Sequence, residues 1–179
     1  MSFHGKQQMN VRCLDRLDDR QIEQLSDVLI DCVEGGASVS FMWPMTRQKA
    51  RAFWENTAQS AARGERFVVV AQEDDAQILG TVSVILNLPE NQPHRADVAK
   101  MLVHRRARRR GVGAAVLAIA EREARERGRT LLVLDTVTGS DAERLYIRQG
   151  WQRCGEIPSY ALWPDGRPCP TTYYYKSLL

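Results

Sequence analysis

Residues 97–114 constrain this chain more than any other stretch. An apolar strand pattern, DVAKMLVH, runs through an arginine-rich turn into a helix opened by Gly111 and Gly113. A helix N-terminus carries backbone N–H groups with no intrahelical partner and a partial positive charge. Glycines there remove Cβ atoms and let a phosphate approach the main chain, and arginines add charge-assisted bonds to its oxygens. Arg108, Arg109, Arg110, Gly111, Val112, Gly113 and Ala114 therefore read as a diphosphate cradle. The competing reading is an ordinary strand–helix turn with a solvated charge run.

The remaining periodicities surround this unit. A strand is expected at 10–14, followed by a helix capped by Asp18 or Asp19. On that helix Ile22, Leu25, Val28, Leu29, Cys32 and Val33 recur at helical spacing, and Gly35-Gly36 stops it. ASVSFMWP (37–44) is a loop, and Thr46 caps a second helix ending near Arg63 and Gly64. FVVVA (67–71) and ILGTVSVIL (78–86) form a hairpin about a turn at 73–76. LLVL (131–134) is the fully apolar strand of a sheet covered on both faces. Ser140 or Asp141 caps a last helix through Gln149, and strands near 151–157 and 172–176 complete the chain. The order β-α-α-β-β-β-α-β-α-β-β predicts one α/β (α+β) domain spanning 1–179.

Composition narrows the function classes. With 44% hydrophobic and 26% charged residues among 179, the chain can bury a sizeable core. Its longest apolar run, 114–120, falls short of the ~18 residues of a membrane helix. The polar start MSFHGKQQMN resembles no export signal, so a cytoplasmic location is expected. Cys13, Cys32, Cys154 and Cys169 form no CxxC pair and are expected to be reduced and mostly buried, with Cys154 and Cys169 as small apolar fillers. His4, His94 and His104, without HExxH, predict no metal site.

Several ligands could use such a cradle. The nucleotide P-loop pattern GxxxxGK[ST] is absent. A dinucleotide fingerprint finds Gly111, Gly113 and an acid at Asp135, but Val116 stands where the third glycine belongs, and HRRARRR (104–110) separates strand from glycine. That run could also serve a nucleic-acid binder, although the net charge is only +3 and no aromatics interleave it.

The pattern Arg108-x-x-Gly111-x-Gly113 resembles the acetyl-coenzyme A signature of the GNAT N-acetyltransferases, between their fourth strand and third helix. DAERLYIRQGW (141–151) resembles that family's last helix, tyrosine and following turn. Within the family, GGASVSFM (35–42), RADVAKMLV (95–103), LLVLDT (131–136) and PDGRPCPTTYYYKSL (164–178) look similar to the tabtoxin-resistance acetyltransferase group. The resemblance implies a seven-stranded, mixed but mostly antiparallel sheet with about four helices. It also implies acetyl-CoA as cosubstrate without a metal, and direct transfer to an amine within a ternary complex.

Residue by residue, it assigns Met101, Leu102 and Val103 to the carrier on a splayed strand, with a backbone N–H near Leu102 or Val103 for the oxyanion. Tyr146 takes the place of the acid that protonates the departing thiolate; an aromatic core residue is the alternative. An amine with a pKa of about 10 must lose a proton. Asp135 and Asp97 are the candidate bases, Asp135 with its pKa raised by partial desolvation at the end of an apolar strand. A turn acceptor and a solvated strand residue are their plainer readings. The family's pantetheine-binding asparagine is replaced by Gly139; Ser140 either substitutes for it or simply caps the helix. Phe41, Trp43, Tyr160 and Trp163 either wall the amine pocket or serve as core or homodimer contacts. The implied activity is acetylation of a primary amine on a small molecule, an antibiotic or toxin in the tabtoxin-like case. Peptide or protein acetylation is the alternative within the fold, and a coenzyme A sensor, a nucleic-acid binder or an NAD-dependent oxidoreductase lie outside that activity.

Overall fold

A computed structural model describes residues 9–73 and 77–179; His4, the polar start and residues 74–76 of the expected turn lie outside the described residues. The elements are β1 (Met9–Leu14), α1 (Asp19–Glu34), α2 (Arg47–Ala62), β2 (Arg66–Glu73), β3 (Gln77–Ile85), β4 (Arg95–Val103), α3 (Val112–Glu126), β5 (Leu131–Val137), α4 (Asp141–Arg148), β6 (Gln152–Leu162) and β7 (Pro168–Ser177). This is the expected order, with a short 3₁₀ turn, Arg105–Ala107, added before α3. The strands form one seven-stranded sheet in the order β1-β2-β3-β4-β5-β7-β6. Every neighbouring pair is antiparallel except β4 with β5.

Local chemistry sets the helix starts. Asp18, rather than Asp19, caps α1: its carboxylate accepts from the Gln21 amide at 2.7 Å, while the Gln21 side chain accepts from the Asp18 amide at 2.9 Å. Thr46 caps α2 through the Lys49 amide and Ser140 caps α4 through the Glu143 amide. Only α3 begins without a side-chain cap, at Gly111, whose φ of 80° lies in the left-handed region.

The sheet has a different partner on each face. On one, α3 packs Val116, Leu117 and Ala120 against Phe67, Val69, Val82, Val84, Ala96, Val98, Leu132 and Leu134. On the other, α1 and α2 bring Leu25, Leu29 and Trp54 against Val68, Val70, Ile78 and Leu102. Each fully buried side chain of this size contributes about 1.5–3 kcal/mol. The α1–α2 cluster takes residues from β1 to β4 and none from β5. β5 is therefore not covered on both faces, as its apolar run suggested. Leu132 and Leu134 are buried on the α3 side, whereas Val133 is half-buried and Asp135 exposed on the other.

Two irregularities open the middle of this sheet. Thr81 pairs with Leu102 and Ser83 with Ala99, so β4 carries one extra residue, a β-bulge in which Lys100 has a φ of 53°. In addition, β4 and β5 are paired only where Arg95, Ala96 and Asp97 meet Leu131, Leu132 and Val133. Beyond that, β4 continues along β3 to Val103 and β5 along β7 to Val137, so the two diverge and leave a wedge. The cysteines are free thiols; Cys32 and Cys169 are buried and Cys13 half-buried, but Cys154 is exposed and fills no core.

Candidate active site

One wall of the wedge is the start of α3. The His104 amide donates to the Leu79 carbonyl at 2.9 Å, and Arg109 and Gly111, with φ of 61° and 80°, turn the chain into the helix. A Cβ on Gly80 would stand 2.5 Å from Val112 Cγ1 and 3.1 Å from the Leu102 carbonyl oxygen, so Gly80 lets the first turn of α3 sit flat on β3. A Cβ on Gly113 would stand 2.9 Å from Leu145 Cδ2, so Gly113 lets the start of α3 lie close against α4. The first-turn amides, those of Val112, Gly113 and Ala114, lack intrahelical partners, and no side chain of the described residues caps the helix start.

The arginine run divides. Arg105 binds Asp31 through its amide at 2.7 Å and its Nε at 2.9 Å, Arg106 donates to Gln77, and Arg110 pairs with Glu73. Arg110, expected at the cradle, is thus turned toward the end of β2. Arg108 reaches the Val103 carbonyl at 3.4 Å, and Arg109 makes no hydrogen bond or ion pair among the described residues. Both lie close enough to Asp141, the first residue of α4, to lower its carboxyl pKa together with Arg144. The run is therefore no continuous stripe of free cations.

The second wall is α4. Buried Glu143 accepts from the Gly139 amide and, at 2.7 Å, from the Tyr174 hydroxyl, which pins the helix to β7. Ser140 acts as the helix cap. Tyr146 is 4% exposed, between Trp151 and Tyr174 at ring distances of 5.7 and 6.5 Å. Its hydroxyl has no hydrogen-bond partner among the described residues. Burial, then the charge of Asp135, pushes its phenol pKa above the ordinary tyrosine value, so it stays protonated at neutral pH.

The carboxylates occupy the opposite face. Ala96, Val98, Leu132, Leu134 and Tyr174 point into the α3 core, so strand alternation turns Asp97, Val133, Asp135 and Tyr173 the other way. The sequence candidates Asp97 and Asp135 are thus brought to one face beside the wedge. Asp97 is ion-paired with Arg95. Asp135 is exposed at the opening but crowded at its base, and this burial raises its pKa, partly offset by Lys100. Across from it Tyr173 exchanges a 2.6 Å hydroxyl bond with Tyr160. That bond, burial and the nearby Asp135 and Asp97 push Tyr173 up to about 12.

Lys100 and Tyr173 were not singled out from sequence. The signal for Lys100 was a cation within the apolar run DVAKMLV. It donates to Ser40 Oγ at 3.0 Å and lies 5.7 Å from the Phe53 ring centroid, and Phe41 packs edge-on against Phe53 at 5.3 Å. Phe41 and Tyr160 accordingly border this face. Trp43 is exposed; its indole donates to the Val33 carbonyl at 2.9 Å and its amide to the Pro164 carbonyl at 3.1 Å, fastening the loop both to the end of α1 and to the β6–β7 connection.

Val103 completes the wedge. Because the His104 amide bonds β3, alternation along an antiparallel ladder directs the Val103 N–H and C=O away from it. The Val103 carbonyl indeed accepts from Cys32 Sγ at 3.5 Å and from Arg108 instead.

Solved structures share this architecture. The chain is 24% identical to a ribosomal-protein-alanine N-acetyltransferase from Brucella melitensis, with a TM-score of 0.76 over 94% of this chain and 99% of that one. It is 18% identical to an N-acetyltransferase from Staphylococcus aureus Mu50, with a TM-score of 0.79 over 96% and 99%. It is also 18% identical to yncA from Salmonella typhimurium, a structure containing acetyl-CoA, with a TM-score of 0.74 over 96% and 94%. Residues 23–151 match the model of the acetyltransferase (GNAT) family. With that match lying over the split strands and the glycine-opened helix between them, the chain belongs to the GNAT family and is an N-acetyltransferase.

Proposed function

We propose that the protein transfers the acetyl group of acetyl-CoA directly to a primary amine of a small molecule. One observation carries this reading: the wedge between β4 and β5 joins the uncapped start of α3 on one face to Asp97 and Asp135 on the other. Two ligands entering from opposite faces would meet there.

Gly111 and Gly113 suit the carrier, since both leave main-chain amides free of Cβ atoms; Val112, Ala114, Arg108 and Arg109 complete the cradle, and Met101 lies beside Gly113. Bound acetyl-CoA supplies the activated acetyl group. Asp135, its pKa raised toward that of a working base, takes the proton from the attacking amine, with Asp97 beside it to hold the ammonium form. The Val103 N–H faces the carbonyl oxygen on which charge develops. Tyr146, buried and protonated, donates toward the departing sulfur. Because the amine attacks directly, no cysteine forms an acyl-enzyme, and Cys32 stays committed to the Val103 carbonyl.

The sequence stretches similar to the tabtoxin-resistance group favour an amine-bearing antibiotic or toxin as acceptor. Loop 37–44 closes on the β6–β7 segment through Ser38 to the Leu162 carbonyl at 2.7 Å, giving the acceptor face a narrow border. A peptide amino terminus is the second reading, supported by the name of the Brucella relative and by the exposed edge strand β6. A homodimer contact falls on the same strand, where Ile157, Tyr160 and Leu162 are exposed.

The test is thiol release from acetyl-CoA across β-lactam amino acids, other small amines, polyamines, aminoglycosides and peptide amino termini, with coenzyme A binding followed by calorimetry. Turnover with small amines supports the reading. Turnover confined to peptides moves it to the second, and absence of coenzyme A binding removes both.

A further inference from the structure

Lys100 stands where the strand pattern would not put a charge. Ala96 and Val98 point into the α3 core, and uninterrupted alternation would send residue 100 after them. The extra residue in β4 prevents this: Met101 and Val103 pack on the α3 side and Leu102 on the other, while Lys100 crosses to the carboxylate face with a φ of 53°. Such a conformation in a residue with a long side chain is strained and persists where the surroundings impose it.

The ammonium then rests among neutral groups, the Ser40 hydroxyl and the Phe53 ring. Neither Asp97 nor Asp135 forms an ion pair with it, although Asp135 acts on it through space. Arg66 adds positive potential to the same neighbourhood. A partly desolvated cation with no carboxylate in direct contact is costly, and an anion that fills the site offsets that cost. Ser40 Oγ accepts from Lys100, so its own proton remains free to donate to that anion. The opening thus presents anionic groups at Asp97 and Asp135, and a cation with a hydroxyl at Lys100 and Ser40.

We propose that Lys100, with Ser40, recognises a carboxylate on the acceptor, so that the acceptor is a zwitterionic, amino-acid-like amine. This rests on the acetyltransferase reading above and narrows its substrate. Lys100 binds the carboxylate, and Asp97 and Asp135 receive the ammonium group; a carboxylate attached near the amine fixes which nitrogen faces the wedge.

The test compares kcat/KM, by thiol release from acetyl-CoA, for amino acids and for the corresponding amines lacking the carboxylate, such as leucine with isoamylamine and lysine with cadaverine. The wild-type protein is expected to favour the amino acid of each pair. In Lys100→Met that preference falls roughly 10- to 100-fold, mostly through KM, and Lys100→Arg retains it. Equal loss for both members of a pair in Lys100→Met overturns the proposal, because that is what a lysine that merely positions loop 37–44 would produce. A wild-type preference for the plain amines overturns it too, as does coenzyme A binding with no amino acid either bound or acetylated; both leave the acetyl-CoA reading standing. Failure to bind coenzyme A removes that reading and this inference with it.

Discussion

Asp135 of β5 stands directly across the antiparallel ladder from Tyr173 of β7. Their side chains share the face that α1 and α2 leave bare, so the carboxylate is hemmed in by aromatic surface on the flank away from the wedge. The pKa of each group is raised, Asp135 mainly by burial and Tyr173 mainly by its bond to Tyr160. A carboxylate at the opening is thus flanked by a phenol that stays neutral.

Asp135→Asn is expected to lower kcat by about 10²–10⁴-fold and to remove the acidic limb of the pH–rate profile. The base acts deprotonated, so wild-type activity falls as pH drops through the raised Asp135 pKa, above the ordinary carboxylate value of about 3.9. A raised carboxyl makes the charged form a burden on the native state once pH exceeds the unfolded value. The variant should therefore melt no lower than wild type at pH 7. A pH–rate series with thermal unfolding at neutral pH checks both, and an unchanged acidic limb assigns the base elsewhere.

Tyr146→Phe removes a hydroxyl that has no hydrogen-bond partner among the described residues, on a side chain otherwise packed in the core. Stability should change by no more than about 0.5 kcal/mol, while kcat falls by roughly 10²-fold if the phenol protonates the sulfur. Denaturant midpoints set beside turnover decide it: intact activity would make Tyr146 a packing residue between Trp151 and Tyr174.

Gly80→Ala should strain the seat of α3. The added carbon meets Val112 Cγ1 at 2.5 Å and the Leu102 backbone at 3.1 Å. Overpacking of this kind costs about 1–3 kcal/mol. Because the displaced element is the first turn of α3, coenzyme A affinity should fall along with stability. Calorimetry on the folded variant reads the first effect and chemical unfolding the second.

Asp31→Asn probes the framework that positions the arginine turn. Burial alone would raise the Asp31 pKa, but the Arg105 amide and guanidinium outweigh it and hold the carboxyl below its usual range. A lowered carboxyl stabilises the native state above the unfolded pKa and loses that contribution as pH falls through the folded one. The variant should be less stable by about 1 kcal/mol at pH 7, a modest figure because Arg105 is half-exposed to solvent. The difference should close as pH falls through the lowered Asp31 pKa, and unfolding curves at pH 7 and into the acid range check it.

Local rules made much of this molecule legible. Helical spacing from Ile22 to Val33, the cap at Thr46, the caps of α1 and α4 to within one residue, and the β-branched hairpin each depend on residues a few positions apart. The glycine-opened helix at Gly111 and the inward face of Tyr146 are local in the same sense. Other features were not legible. LLVL looked like a strand covered twice, yet α1 and α2 stop at β4. Arg110 looked like a cradle residue, yet Glu73, 37 positions away along the chain, pairs with it at the end of β2.

The order of elements, most of their caps and the glycine opening of α3 were determined by the sequence itself, because periodicity, capping and backbone freedom act over a single turn or strand. The wedge between β4 and β5, the meeting of Asp97 with Asp135, and the turning of Lys100 onto their face were decided only by the tertiary structure. Each depends on register between strands distant in sequence and on which helix covers which face, and one extra residue in β4 reverses where the side chains after it point.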